Sequence, residues 1–278
     1  MFKPPARVDG DSGLMSDIDL RRRRGEYGVD GDFRVVPAVW QATILGVLCA
    51  AMAAFTILNL TAGRTVGAVI TGLITFLLVL TGVSYVFTTR VGKFRVWARV
   101  LTELGLRGDE DLLDLGCGRG AVLLAAAELL PNGRAVGVDL WRADQTGNSP
   151  AATRRNAELE GVAARVTLHS GDMTSLPFED QSFDVIVSSI AIHNIPEAAG
   201  REAAIDEAVR VLRPGGRILI ADLRFTRQYL ARLRSLGLSE TGRRNLGWRV
   251  WWGGPWFPTR LVTASAKQAG AVRHETTG

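Results

Sequence analysis

Asp111–Gly120 reads DLLDLGCGRG. An apolar run suited to a strand, Leu112–Leu115, leads straight into Gly116, Gly118 and Gly120. A helix-forming stretch, Ala121–Leu130, follows at once. Glycine lets the chain turn sharply and lets its backbone approach a ligand without interference from a Cβ. The new helix then aims its free N–H groups at whatever the loop holds. The segment therefore predicts a strand–turn–helix unit built around a ligand. Gly116, Gly118 and Ala121 also satisfy the spacing of dinucleotide-binding loops, with Asp139 at the ribose-binding distance. A nicotinamide dinucleotide remains open on this spacing alone.

Outward from the loop, strand-like and helix-like segments alternate. Strand character recurs at Ala135–Val138, Val166–His169, Val185–Ser189 and Ile218–Ala221. Helical stretches lie between them at Ala151–Gly161 and Ala198–Leu212. Such alternation predicts an α/β domain over residues 108–278, a doubly wound and mostly parallel sheet, with its ligand at the carboxyl ends of the strands. After a last helix at Tyr229–Leu236, Trp248–Trp252 and Arg260–Ala264 read as two more strands, with Gly253, Gly254 and Pro255 as the turn of a hairpin.

Three features favour a ligand with a cationic amino-acid tail over a dinucleotide. Asp114 ends the first strand two residues before the first glycine. Gly120 adds a third glycine at alternate spacing, leaving room for such a tail. Asp172, in SGDMTSLPF, supplies a second acidic position after the third strand. DLGCGRG at 114–120, GVDL at 137–140, GDMTSLPF at 171–178, FDVIVSSIAIHNI at 183–195 and LRPGGRILIADL at 212–223 occur in that order. With them the segment resembles the class I S-adenosylmethionine-dependent methyltransferases, in particular the menaquinone/ubiquinone C-methyltransferase-like group. The resemblance implies a Rossmann-like sheet of seven strands and S-adenosyl-L-methionine as cofactor. It implies that Asp114, Gly116, Cys117, Gly118 and Gly120 hold the methionine portion and that Asp139 accepts from the ribose hydroxyls. Leu140, Asp172 and Met173 would frame the adenine, and Ser188 would approach the sulfonium end. It also makes His193 and Asn194, just after the fourth strand, the substrate-facing candidates. Asp144 and Gln145, in WRADQTGN, are candidates for the same mouth. A capping role for His193 stands beside the chemical one.

The N-terminal part has another character. Ala38–Leu60 and Val66–Thr88 are each 23 residues without a formal charge. As helices each would extend about 34 Å, enough to cross the hydrocarbon of a bilayer. Neither has the polar face that a helix of a globular surface keeps. The first run is too long, and begins too late, for a secretory signal. Trp40 and Tyr85 stand near the outer ends, and Arg21–Arg24 with Arg90, Lys93, Arg95 and Arg99 flank the pair, while the short connection holds only Arg64. The charge bias predicts a two-span hairpin in the cell membrane with both termini in the cytoplasm. Residues 38–89 are thus the expected hairpin, after a disordered, basic cytoplasmic tail over 1–37. Residues 90–107 are an amphipathic connecting helix with Phe94, Trp97, Ala98, Leu101 and Leu104 on one stripe. That stripe suits docking on the following domain or lying on lipid.

Charge excludes one class of partner. Residues 1–107 carry 13 basic and 8 acidic side chains and so account for the whole net charge of +5, leaving the α/β domain neutral. A nucleic-acid binder concentrates basic charge on the domain that reads the ligand, so no nucleic-acid partner is expected. Cys49 and Cys117 lie far apart in the chain and three histidines are scattered, which gives neither a disulfide framework nor a metal site. The expected activity is methyl transfer to a small lipophilic acceptor: a quinone precursor, a polyprenyl compound or a lipid headgroup. A non-catalytic S-adenosylmethionine-binding regulator at the membrane is the alternative. The aromatic cluster Trp248–Phe257 reads either as packing for the last hairpin or as a rim facing apolar substrate or lipid.

Overall fold

The computed structural model describes residues 19–31, 37–142 and 145–268. Two long helices come first, α1 (Ala38–Thr61) and α2 (Thr65–Phe87). Both are long and apolar enough to cross a membrane. No residue of α1 and only Ala68 of α2 is buried. They pair along a seam where the Thr56 hydroxyl donates to that of Thr71 at 3.0 Å. A π-helical turn, Thr88–Gly92, carries the second helix on into α3 (Lys93–Leu104).

The sheet follows: β1 (Asp111–Leu115), α4 (Leu123–Glu128), β2 (Arg134–Asp139), α5 (Pro150–Glu160), β3 (Val166–Ser170) and β4 (Phe183–Ser189). Then come α6 (Ala198–Arg210), β5 (Leu212–Asp222), α7 (Thr226–Ser235), β6 (Ser239–Asn245) and β7 (Arg260–Ser265). Seven strands lie in the order β3-β2-β1-β4-β5-β7-β6. The first five in sequence pair in parallel, and β7 is antiparallel to both neighbours. The order reverses between β1 and β4, which opens a crevice beyond the carboxyl ends of those strands.

α3 docks on the domain. Its whole predicted stripe is buried and shares a core with α4 and one face of the sheet. Each large apolar side chain so buried contributes about 2 kcal/mol. The other face is covered by α6 and α7, through residues such as Ile205, Tyr229 and Leu233.

Two expectations are corrected here. The sixth strand is Ser239–Asn245, and Trp248–Val250 is a single 3-10 turn. β6 is an edge strand that reads SETGRRN, so it shows no apolar alternation. Within the expected disordered tail, residues 19–31 pack on the domain, with Leu20 and Tyr27 buried. Arg23 pairs with Glu128 at 2.9 Å, and the Tyr27 hydroxyl donates to Glu160 at 2.7 Å. A polar composition suggested disorder because these contacts are made by side chains and backbone amides rather than by an apolar stripe.

Gly92 marks where the helical run meets the Trp248–Val250 turn, and a Cβ there would overlap the Arg249 carbonyl. Gly92→Ala will therefore destabilise the protein by about 1–3 kcal/mol. In thermal unfolding this lowers Tm by roughly 3–10 °C.

Candidate functional site

The glycine loop is shaped by its neighbours in the sheet. The Gly116 and Cys117 amides donate to the Val138 carbonyl at 2.8 and 3.2 Å, which curls the chain as β1 ends. Gly116, at φ +73°, sits where a Cβ would overlap that of Ala191. Asp139, at the end of β2, clamps the loop: one carboxylate oxygen accepts from the Gly118 amide at 2.8 Å, the other from Trp141 at 2.5 Å. Burial raises the Asp139 carboxyl, and these amides oppose the shift.

Asp114 is buried, and its Oδ1 has no hydrogen-bond partner among the described residues. Burial, and then the nearby Asp139 charge, push its carboxyl up to about 8. An orphaned acceptor between a glycine loop and an open cavity calls for a cationic donor.

That cavity has a volume of about 550 Å³. Asp114, Gly116, Cys117, Gly118, Asp139, Leu140, Asp172 and Met173 line it. So do Tyr85, Lys93, Val96 and Trp97 from the helices that precede the sheet, and Leu246, Val250 and Trp252 from the last loop. Tyr85 meets Trp252 edge to face at 6.1 Å, and Ser84 donates to the Trp251 carbonyl at 2.8 Å. Asp30 closes the rim. It accepts from Lys93 Nζ at 2.6 Å and from Gln145 Nε2 at 2.7 Å, and its carbonyl accepts from the Tyr85 hydroxyl.

His193 lines the same cavity. Its Nδ1 lies 2.6 Å from Oδ1 of Asp222, which is fully buried at the end of β5. The other Asp222 oxygen accepts from the His193 amide at 3.1 Å and from the Tyr229 hydroxyl at 3.2 Å.

A methyltransferase-domain profile matches residues 112–216. The ubiquinone/menaquinone biosynthesis C-methyltransferase UbiE of Dinoroseobacter shibae is 36% identical over 132 residues, which are 47% of this chain and 50% of that protein. The demethylmenaquinone methyltransferase of Beutenbergia cavernae is 37% identical over 134 residues, 48% of this chain and 49% of that one. Residues 112–216 are thus similar to a methyltransferase domain, and the wider segment to quinone C-methyltransferases. The chain spans about half the length of the curated relatives it matches. The same fold is seen in the [4+2]-cyclase SpnF, at a TM-score of 0.51 and 21% identity over 62% of this chain and 82% of that one.

The cavity brings together most of the expected cofactor residues, with two corrections. Ser188 is buried and donates to the Leu115 carbonyl at 2.8 Å, away from the cavity. Alternation along β4 puts its neighbour Ser189 there instead, where it accepts from Trp97 Nε1 at 2.9 Å. Gly120 does not line the cavity: at φ +86° a side chain there would press on Leu124 and Thr153, so this glycine serves the turn into α4. Gln145 lines the cavity as expected, with its amide accepting from the Arg119 amide and donating to Tyr27 and Asp30. Asp144 lies outside the described residues. Cys117 lines the cavity near its backbone while its thiol packs under Gly137, and burial raises that thiol well above its ordinary range. Asp172 is exposed at the rim and accepts from the Thr174 amide and hydroxyl at 2.9 Å. Asn194 joins His193 in the lining.

Asp222 was legible in part, since it ends a parallel strand in ILIAD as Asp139 ends β2. Asp30 carried no signal, because its partners lie more than fifty residues away.

The Asp114 carboxyl predicts a pH dependence for the unliganded methyltransferase domain. Its folded pKa is raised above the unfolded value of 3.8. The neutral form therefore favours folding, fully so below about pH 4, and this contribution is lost as pH rises through about 8. Tm should fall across that window, and Asp114→Asn should flatten the fall in a thermal-unfolding series against pH.

Proposed function

We propose that this chain transfers a methyl group from S-adenosylmethionine to a small lipophilic acceptor at a membrane, with His193 removing the acceptor's proton. One observation carries the reading. A single cavity is lined both by the glycine loop and by the apolar side chains Tyr85, Val96, Trp97, Val250 and Trp252, and Tyr85 stands at the end of a helix apolar enough to span a bilayer. The matched relatives are named for quinone methylation, so a quinone precursor leads the acceptor candidates, ahead of a polyprenyl compound or a lipid headgroup.

The residues present fit the cofactor. Asp114, with its orphaned oxygen, would hold the ammonium group. The Gly116–Gly118 backbone would receive the amino-acid tail, and Asp139 the ribose hydroxyls. Leu140, Met173 and Asp172 would border the base. When bound, S-adenosylmethionine supplies a methyl group on a sulfonium centre, with the thioether as leaving group. The chain supplies alignment, exclusion of water and a proton acceptor. Asp222 Oδ1, 2.6 Å from Nδ1, would support an imidazolium once the acceptor's proton has moved to His193. Trp97 and Trp252 would flank an apolar ring in the cavity. The closeness of His193 and Asp222 is what favours turnover over a non-catalytic binding role.

The membrane reading has its own support. Residues 19–31, before α1, and the domain after α2 pack together at one end of the hairpin, so both flanks lie on one side, as the arginine bias requires. The expected localisation is therefore the cell membrane, with both flanks and the domain cytoplasmic.

The test is incubation of the full-length protein in native membranes with methyl-labelled S-adenosylmethionine. Label should enter the lipid extract, with production of adenosylhomocysteine. Turnover confined to a water-soluble compound would overturn the lipophilic acceptor, and no turnover with any extract would overturn the enzyme.

A further inference from the structure

A second cavity, of about 590 Å³, lies outside the methyl-transfer site. Four arginines line it: Arg21 and Arg23 from the segment before α1, Arg90 from the π-helical turn after α2, and Arg119 from the glycine loop. Glu26 is the acidic residue among the described lining. The Arg23 side chain is only 5% exposed; it gives its terminal nitrogens to Glu128 and the Leu20 carbonyl, yet its Nε is buried with no partner. Arg119 gives Nη1 to the Thr146 carbonyl at 2.9 Å, and its Nε is buried and unpartnered as well. A buried guanidinium N–H without an acceptor costs free energy that a multivalent oxyanion recovers. With Arg21 and Arg90 exposed beside them, four guanidinium groups meet in this cavity against one carboxylate among the described lining.

We propose that this cavity binds the phosphate of an anionic lipid headgroup. The chemistry is that of a phosphate ester met by guanidinium groups. Its source follows from position: Thr89 and Arg90 line the cavity directly after the second apolar helix, where a bilayer crossed by that helix would present its headgroup phosphates. This source rests on the membrane reading given above. Occupancy would link three parts of the protein. The Arg119 amide and carbonyl are held by Gln145 and Asn156, and Asn156 also donates to the Glu26 carbonyl. A phosphate on Arg23 and Arg119 would therefore fasten residues 19–31 to the loop that holds the methyl donor.

The test uses the full chain in neutral detergent and follows Tm on titration with phosphatidylglycerol, phosphatidylcholine and inorganic phosphate. Phosphatidylglycerol should raise Tm and phosphatidylcholine should not. Arg21→Gln with Arg90→Gln replaces exposed groups outside the buried pairs, and should raise the half-saturating lipid concentration roughly tenfold or more. Arg95→Gln with Arg99→Gln, exposed on the helix that continues from the second span but outside the cavity, should leave it near the wild-type value. Equal losses in the two double variants would show diffuse charge attraction and overturn the site. So would the lack of any response to both phosphatidylglycerol and phosphate. A response to inorganic phosphate with the same arginine dependence, but none to phosphatidylglycerol, would keep the site and overturn the lipid source. Alkaline carbonate extraction of native membranes separates the underlying reading: release of the chain would remove the bilayer while leaving the phosphate arm intact.

Discussion

Asp139→Ala will weaken adenosylhomocysteine binding by roughly 100-fold or more. The carboxylate sits at the end of β2 and lines the cavity, where it would accept from two ribose hydroxyls. A hydrogen bond to a charged group contributes about 1.5–3 kcal/mol, so losing two accounts for at least about 3 kcal/mol, or two powers of ten in Kd. The substitution also strips the Gly118 and Trp141 amides of their acceptor. The loop would loosen at the point where the ligand needs it preorganised. Calorimetric titration of the full-length protein reads the effect directly. Asp139→Asn, which retains one acceptor and the side-chain shape, should fall between the two, and thermal unfolding without ligand separates lost binding from lost folding. An affinity within about threefold of wild type would remove Asp139 from the site.

His193→Gln will lower kcat by about 100- to 10,000-fold, the range expected when a positioned proton acceptor is lost. Its effect on adenosylhomocysteine affinity should be small, because the cofactor contacts lie on β1 and β2. Asp222→Asn should reproduce most of the loss, since an amide presents a donor where the imidazole needs an acceptor and so favours the wrong tautomer. Asp222 also receives the Tyr229 hydroxyl and the His193 and Leu223 amides. The unliganded Tm of this variant must therefore be read beside its rate. Unchanged kcat in His193→Gln would reduce the His193–Asp222 pair to a support for the loop after β4.

Much of the α/β domain was open to a reading of the chain. Val166–Ser170 and Phe183–Ser189 bury or half-bury apolar runs, and the glycine loop declares its turn through three residues that adopt positive φ. β6 escaped because an edge strand of polar residues has no periodicity to find. Trp248–Trp252 misled for the opposite reason. Its aromatics suit a strand, yet Val250 turns into the core while Trp248 stacks on Phe87, and that geometry needs a 3-10 turn. Ser188 was misplaced by one residue, which is enough to exchange the two faces of a sheet.

Chain order alone determined the two apolar helices, the alternating domain and the strand-terminal Asp114 and Asp139, because each depends on local periodicity or on spacing within one turn. What lines the cavity was decided by the tertiary structure. Asp30, Lys93, His193 and Trp252 come together there from four separate parts of the chain, one of them expected to be unstructured. Their meeting depends on how α3 docks, how residues 19–31 cross the loops and where the final turn lands. Those outcomes are set by the packing of whole elements, and no single segment carries a pattern that records them.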